Sequence, residues 1–234
     1  SGNALRVYLT ENGRQVAGNM WHLSSNYAPV VYDSNRIYIL SQWKYGGYLG
    51  WTEYAEQYDG TMFSDCYSMI VNNQIISSPV FDSEGHIYVA TFQGLRVVNP
   101  DGTVLYSDPT IANSYARIVI DDSNVAYAFG NDDKIFAFTV EGPQWNVTVN
   151  NCGSILAVDS ENSALYTVNT EGIVYKIDTD SQDVTELYNL SSAAVSLIID
   201  GEGNIYVSTS AGDVVALSAD GELLWTINLG SKIT

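Results

Sequence analysis

Five tyrosines recur at nearly constant spacing, and no other feature of this chain constrains its fold as tightly. Tyr38, Tyr88, Tyr127, Tyr166 and Tyr206 occupy the related segments RIYIL, HIYVA, VAYAF, ALYTV and NIYVS, separated by 50, 39, 39 and 40 residues. Five to seven residues before each stands an aspartate: Asp33, Asp82, Asp121, Asp159 and Asp200. Each aspartate closes a short apolar run, such as SPVFD or SLIID. The pattern reads as strand, tight polar turn, strand. A second hairpin follows, through LRVVN (95–99), KIFAF (134–138), IVYKI (173–177) or VVALS (214–218). It turns at Asp101-Gly102, Glu141-Gly142 or Asp220-Gly221, and at Asp59-Gly60 in the first unit. Asp-Gly between apolar runs is a strong hairpin signal.

Each unit is therefore four strands, A to D. A lone four-stranded sheet with two apolar faces leaves both in water, whereas sheets stacked face to face around an axis bury them. The expected fold is all-β: a β-propeller of four-stranded antiparallel blades, one domain over residues 1–234. Complete blades are expected at 28–67, 77–108, 115–149, 152–190 and 194–229. Residues 2–20 read as a half-blade of strands C and D, because Gly2-Asn3-Ala4-Leu5-Arg6-Val7 resembles Gln93-Gly94-Leu95-Arg96-Val97 and Asn12-Gly13 supplies the turn. Two expectations follow: a piece of a longer propeller, or a ring that closes imperfectly on the half-blade. Either leaves an open strand edge near Leu5–Thr10, and open edges invite pairing with another chain. Nothing in the sequence repeats with helical periodicity over a long stretch. No apolar run is long enough for a membrane-crossing helix, and no membrane insertion is expected.

The segments TFQGLRVVNPDGTVLY and STSAGDVVALSADGELLW resemble the repeat of the pyrroloquinoline-quinone-like (quinoprotein-type and BamB-like) β-propeller family. Asp220-Gly221 followed by Trp225 fits its D-G-x-x-x-W pattern; Asp101-Gly102 with Tyr106, and Gly142 with Trp145, fit it loosely. The stretch Asp178 to Asp183 departs from it. The family holds quinone-dependent dehydrogenases and non-catalytic scaffolds. The dehydrogenases resemble eight-bladed rings with a quinone, a metal and a catalytic aspartate in the axial funnel. That constellation does not map onto this chain, so no cofactor and no metal site are expected. The resemblance specifies fold, and function has to come from the site.

A formal net charge of −18, with nine Lys and Arg, repels nucleic acid and anionic membrane surfaces. The two sequons, Asn146-Val147-Thr148 and Asn189-Leu190-Ser191, permit glycosylation. Together they suit an extracellular or cell-envelope setting. Cys66 and Cys152 form no CxxC and no zinc pattern. A bridge between them would need Cα atoms within about 7 Å, and two free, partly buried thiols are expected instead.

The repeated aspartates invite a carboxylate cluster for acid–base work or for a cation. Their recurrence at the same A–B turn favours a repeated structural task, capping that turn through a side-chain oxygen. The tyrosines are expected to pack between blades, with each hydroxyl on a polar partner. Asp82-Ser83-Glu84-Gly85 resembles Asp200-Gly201-Glu202-Gly203, yet neither is a calcium loop. His22 and His86 lie in no triad or metal spacing, and His86 is expected to be solvated in its turn. The first blade breaks the symmetry. Gln42 to Trp51 reads as a long B–C connection, Ser64 to Ile76 as a long D–A connection, and Met20-Trp21-His22 with Tyr27 as another. These would share one face and present Trp21, His22, Trp43, Tyr45, Tyr48 and Tyr67 as ligand-binding residues, unless the aromatics fold back over a blade edge. Aromatic anchors with a polar rim suit a protein or a glycan. The functional expectation is a non-catalytic recognition or scaffold propeller. The alternatives are an enzyme with an axial-funnel site, quinoprotein-like or carbohydrate-active, and a subunit that polymerises by strand donation at the half-blade.

Overall fold

The computed structural model describes, with side chains, residues 77, 79–91, 94–99, 103–111, 117–130, 132–153 and 155–233; before these it describes the backbone of six strands. The chain divides into two compact units, Ser1–Pro109 and Thr110–Thr234.

The first unit opens with a two-stranded sheet, β1 (Asn3–Tyr8) and β2 (Gln15–Leu23). Two four-stranded sheets follow. One is β3 (Val30–Val31), β4 (Arg36–Trp43), β5 (Gly46–Glu53) and β6 (Ser64–Ser68). The other is β7 (Val80–Phe81), β8 (Ile87–Thr91), β9 (Gly94–Val98) and β10 (Val104–Asp108). The second unit holds three more. They are β11 (Ile118–Ile120), β12 (Ala126–Phe129), β13 (Lys134–Thr139) and β14 (Gly142–Thr148); β15 (Ile155–Asp159), β16 (Ala164–Val168), β17 (Ile173–Asp178) and β18 (Val184–Asn189); and β19 (Ala194–Ile199), β20 (Ile205–Thr209), β21 (Asp213–Leu217) and β22 (Leu223–Asn228). Within every sheet the strands follow chain order, and every described pair is antiparallel.

One turn module recurs, and its chemistry is written in the sequence. In the A–B turns Asp82, Asp121 and Asp200 each accept, on Oδ1, the N–H groups two and four residues on, at 2.8–3.0 Å. The residue three positions after each aspartate has positive φ and is Gly85, Asn124 or Gly203, residue types that accept the left-handed region at low cost. The same geometry returns in the B–C turn at Asn169, whose Oδ1 accepts Glu171 N–H and Ile173 N–H. It returns again in the C–D turn, where Ser218 Oγ accepts Asp220 N–H and Glu222 N–H. A short polar side chain that stands in for backbone carbonyl is the physical content of these Asx-type turns.

Within the second unit the A strands β11, β15 and β19 neighbour one another, and the D strands β14, β18 and β22 are the most exposed. The sheets therefore meet face to face. Between the last two sheets, Tyr166, Val168 and Val174 pack against Leu197, Ile205, Val207, Val215 and Leu217. Burying each such side chain contributes about 1.5–3 kcal/mol.

Glycine is required where strand C begins. At Gly212 φ is +97°, and a Cβ would lie 2.2 Å from the Ser231 carbonyl oxygen. The Gly212 carbonyl accepts Leu229 N–H at 2.8 Å, so the backbone leaving strand D passes directly against it.

The long B–C connection expected in the first four-stranded sheet is not formed. Strands β4 and β5 pair continuously from Arg36↔Glu53 to Trp43↔Gly46, leaving only residues 44–45 between them. Trp43 and Tyr48 are thus strand residues, Trp21 and His22 lie in β2, and Tyr67 lies in β6. The glycines of Gly46-Gly47-Tyr48-Leu49-Gly50-Trp51 suggested a loop, but the interleaved aromatic and β-branched residues favour a pleated strand. Likewise Ser64–Ser68 is a strand, with Cys66 paired to Trp51. Tyr45, and the side chains of Trp21, His22, Trp43, Tyr48, Cys66 and Tyr67, lie outside the described residues.

Candidate functional site

In the second unit, the A–B and C–D turn end of the sheets β11–β14 and β15–β18 encloses a cavity of about 340 Å³. One wall is aromatic: Tyr127 from strand B and Trp145 from strand D, ring centroids 5.7 Å apart and tilted by 50°. Register brings them together, since Tyr127 pairs with Ala137 and Ala137 pairs with Trp145. The small alanine between them lets the two rings meet over it. The facing wall consists of Val158, Asp159, Ser160 and Ser163 from the neighbouring A–B turn, with Thr179 and Asp180 from its C–D turn. Asp121, Asp122, Ser123, Val125 and Gln144 complete the lining. Asp122 N–H donates to Ser160 Oγ at 3.1 Å and links the two turns across the rim.

The cavity carboxylates differ in role. Asp121 Oδ1 caps its turn, and Asp121 Oδ2 accepts the Tyr127 hydroxyl at 2.8 Å. Asp159 accepts Asn162 N–H on Oδ1 and the Asn162 amide on Oδ2. Asp122 and Asp180 are exposed at the mouth. Burial, reinforced by the Asp121 hydrogen bond, pushes the Tyr127 phenol far above its ordinary pKa, so this hydroxyl stays a donor. The lining holds no histidine, cysteine or lysine, hence no nucleophile–base pair of the triad kind. Among the described residues no group of three His, Cys, Asp or Glu is disposed to hold a metal ion.

The Tyr–Asp bond is itself a repeat that the residue pattern half announces. Tyr88, Tyr127 and Tyr206 all donate to the aspartate six residues before them, at 3.2, 2.8 and 2.8 Å. Sequence reasoning gave the capping role and a polar partner for each hydroxyl but did not join the two, although the spacing of six was the signal. Where the spacing is seven the bond is absent: Tyr166 reaches the Ala219 carbonyl at 3.5 Å instead. In the same sheet Thr185 takes the strand D position that Trp145 holds in its own. Its register places Lys176 beside Tyr166, and the Lys176 ammonium lies 6.0 Å from the Tyr166 ring centroid, a cation–π contact in place of the missing tryptophan.

His86 is not free in solvent as expected. Its Nδ1 lies 2.7 Å from Asp82 Oδ2, and its side chain is 17% exposed. It supplies the second-carboxylate-oxygen contact that Asn204 makes to Asp200. Asn146 and Asn189, the sequon asparagines, are exposed on β14 and β18. Cys152 is a free thiol, and burial raises its pKa to about 12, which keeps it protonated and unreactive.

These antiparallel sheets, meeting face to face with strand A inside and strand D outside, are the architecture of the β-propeller class, and solved structures share it. Saccharomyces cerevisiae Sqt1 superposes with a TM-score of 0.76 at 10% identity, over 98% of this chain and 69% of its own. Virginiamycin B lyase from Staphylococcus aureus gives 0.67 at 15%, over 98% and 75%. BamB from Moraxella catarrhalis gives 0.68 at 18%, over 99% and 69%. All three are β-propeller folds. No family model and no curated protein sequence matches the chain.

Proposed function

We propose that this chain is a non-catalytic recognition scaffold that holds a protein or glycan partner within a larger extracellular or cell-envelope assembly. The observation that carries the reading is the division of labour among the carboxylates. In every described A–B turn the repeated aspartate accepts hydrogen bonds that hold the turn, and in three of them it also holds a tyrosine. That leaves the cavity an aromatic wall with hydroxyl, amide and exposed carboxylate groups around it, a surface that binds rather than reacts. Trp145 supplies a face for a sugar ring or an apolar side chain; Gln144, Ser160 and Thr179 supply directional polar contacts. Trp21, His22, Trp43, Tyr45, Tyr48 and Tyr67 of the first unit are the second set of candidate binding residues. The exposed sequons and the charge of −18 support the setting. The test is binding to an oligosaccharide array, and recovery of partners from the native source, by the wild type and by Trp145→Ala and Trp43→Ala/Tyr48→Ala variants. One variant should lose binding while its thermal midpoint holds. Turnover of a substrate, or full binding by both variants, would overturn the reading.

A further inference from the structure

On the reading above, in which the cavity between the sheets β11–β14 and β15–β18 binds rather than reacts, we infer that it receives a single arginine side chain of a protein partner. Its size limits the occupant. Roughly 150 Å³ hold a benzene ring, so a cavity of about 340 Å³ admits one long side chain or one sugar ring. Charge decides between them. Asp121 and Asp159 already accept hydrogen bonds on both carboxylate oxygens. Asp122 and Asp180, exposed at the mouth, donate their backbone N–H groups to Ser160 and Asp178, and among the described residues their carboxylates accept no hydrogen bond. Burial and the Asp121 hydrogen bond raise the Tyr127 pKa, and the Asp180 charge adds to the rise, which puts that charge beside the aromatic wall. No cation of this unit answers it there. Arg117 precedes β11, Lys134 opens β13 and Lys232 follows β22, all at the opposite strand ends, and Lys176 lies over Tyr166.

The repeat supplies an independent observation. In register across strands B, C and D stand Tyr166, Lys176 and Thr185 in one sheet, and Tyr127, Ala137 and Trp145 in the other. Where strand C carries a lysine, its ammonium lies 6.0 Å from the tyrosine ring centroid, so this place in the repeat holds a positive charge. Where strand C carries an alanine, strand D adds an indole, the best cation–π partner, and the cation has to come from outside. Arginine suits the place, because its planar guanidinium stacks on an aromatic face while its N–H fork pairs with carboxylate. Gln144, whose Nε2 donates within its own turn, keeps Oε1 as a further acceptor. A neutral sugar would leave both carboxylates without a counter-charge.

Calorimetric titration of the protein with acetyl-Gly-Arg-Gly-amide, with its citrulline counterpart and with chitotriose tests this. Citrulline keeps the shape of arginine and loses the charge. The arginine peptide should bind at least about tenfold more tightly than the citrulline peptide. Trp145→Leu, which leaves the net charge unchanged, should abolish that preference, and Asp122→Asn/Asp180→Asn should reduce it while the thermal midpoint shows a folded protein. Equal binding of the two peptides would overturn the inference, as would no binding of either. So would a preference that survives Trp145→Leu, which would be a general attraction to the acidic end of the sheets. Binding of chitotriose in place of the arginine peptide, lost in Trp145→Leu, would overturn the inference and leave the recognition reading standing, whereas hydrolysis of a probe would overturn both.

Discussion

The Tyr127 hydroxyl and the Asp121 carboxylate form one small machine with the turn between them. Asp121 satisfies two backbone N–H groups and one phenol, so its loss exposes three donors at once. Asp121→Ala should destabilise the protein by about 2–3 kcal/mol, and Tyr127→Phe by about 1–2 kcal/mol, hydrogen bonds to a charged group being the stronger kind. The double variant should cost less than the sum, since both remove one bond; urea unfolding of the four species measures the coupling. The equivalent carboxylate at Asp200 carries a pH signature. Hydrogen bonds from the Asn204 amide and the Tyr206 hydroxyl, with the turn N–H groups, lower its pKa from 3.8 to about 2. A depressed folded-state pKa gives stability that is present above the unfolded value and lost as pH falls through the folded one. The stability difference between wild type and Asp200→Asn should hold steady above pH ~5 and shrink between about pH 4 and 2. Tyr166 behaves oppositely. Burial first, then the charges of Asp159 and Asp220, raises its pKa from 10.0 to about 12. Its contribution is complete below the unfolded value and disappears as pH rises from about 10 to 12. In Tyr166→Phe the stability lost between about pH 10 and 12 should therefore be smaller than in the wild type, as urea unfolding across that range would measure.

At the scale of the element, two glycines in the last sheet separate backbone need from habit. Gly212 combines φ of +97° with a carbonyl oxygen 2.2 Å from where a Cβ would stand, whereas at Gly201 nothing lies within 4 Å of such an atom. Gly212→Ala should cost several kcal/mol, because strain and a backbone clash add. Gly201→Ala should be neutral or stabilising by about 0.4–1 kcal/mol, through lost freedom in the unfolded chain. Thermal or urea unfolding of the pair decides it. These elements also show where a sequence speaks and where it is silent. Asp-x-x-Gly or Asp-x-x-Asn before a run with Tyr at the third position after it specifies a turn through local chemistry, so the hairpins of the second unit were legible. The Gly46–Trp51 strand was not, because three glycines in six residues weaken a strand signal that its pairing with β4 restores. The cavity was invisible for another reason. Its walls come from turns at Asp121–Val125 and Val158–Ser163, which become neighbours only when two sheets stack, and no local pattern records that distance. Lys176 over Tyr166 is the same kind of case: the departure from the repeat could be read, but not what filled it.

Across the second unit, charge is sorted by end. Residues 110–234 contain 17 Asp and Glu against four Lys and Arg. Twelve of those carboxylates occupy the A–B and C–D turns, which strand direction places at one end: Asp121, Asp122, Asp159, Glu161, Asp200 and Glu202 in the first set, and Glu141, Asp178, Asp180, Asp183, Asp220 and Glu222 in the second. Lys176 is the base nearest to them along the strands, and its ammonium lies over an aromatic ring. Individually these carboxylates stabilise turns, through hydrogen bonds of about 3 Å; collectively they repel. The short-range contribution barely responds to salt, while repulsion between exposed charges is screened within about 10 Å at 0.1 M ionic strength. The two can therefore be separated in one experiment. Raising sodium chloride from a few millimolar to about 0.5 M should raise the thermal midpoint by several degrees and then level off, since a net charge this far from zero destabilises the compact state. A midpoint that falls over that range would mean that attractive ion pairs dominate instead. The same titration on Asp180→Asn, which removes one exposed charge at the cavity mouth, should begin at a higher midpoint and rise less. If the variant starts lower, Asp180 is a structural ligand of its turn and not part of the repulsive set.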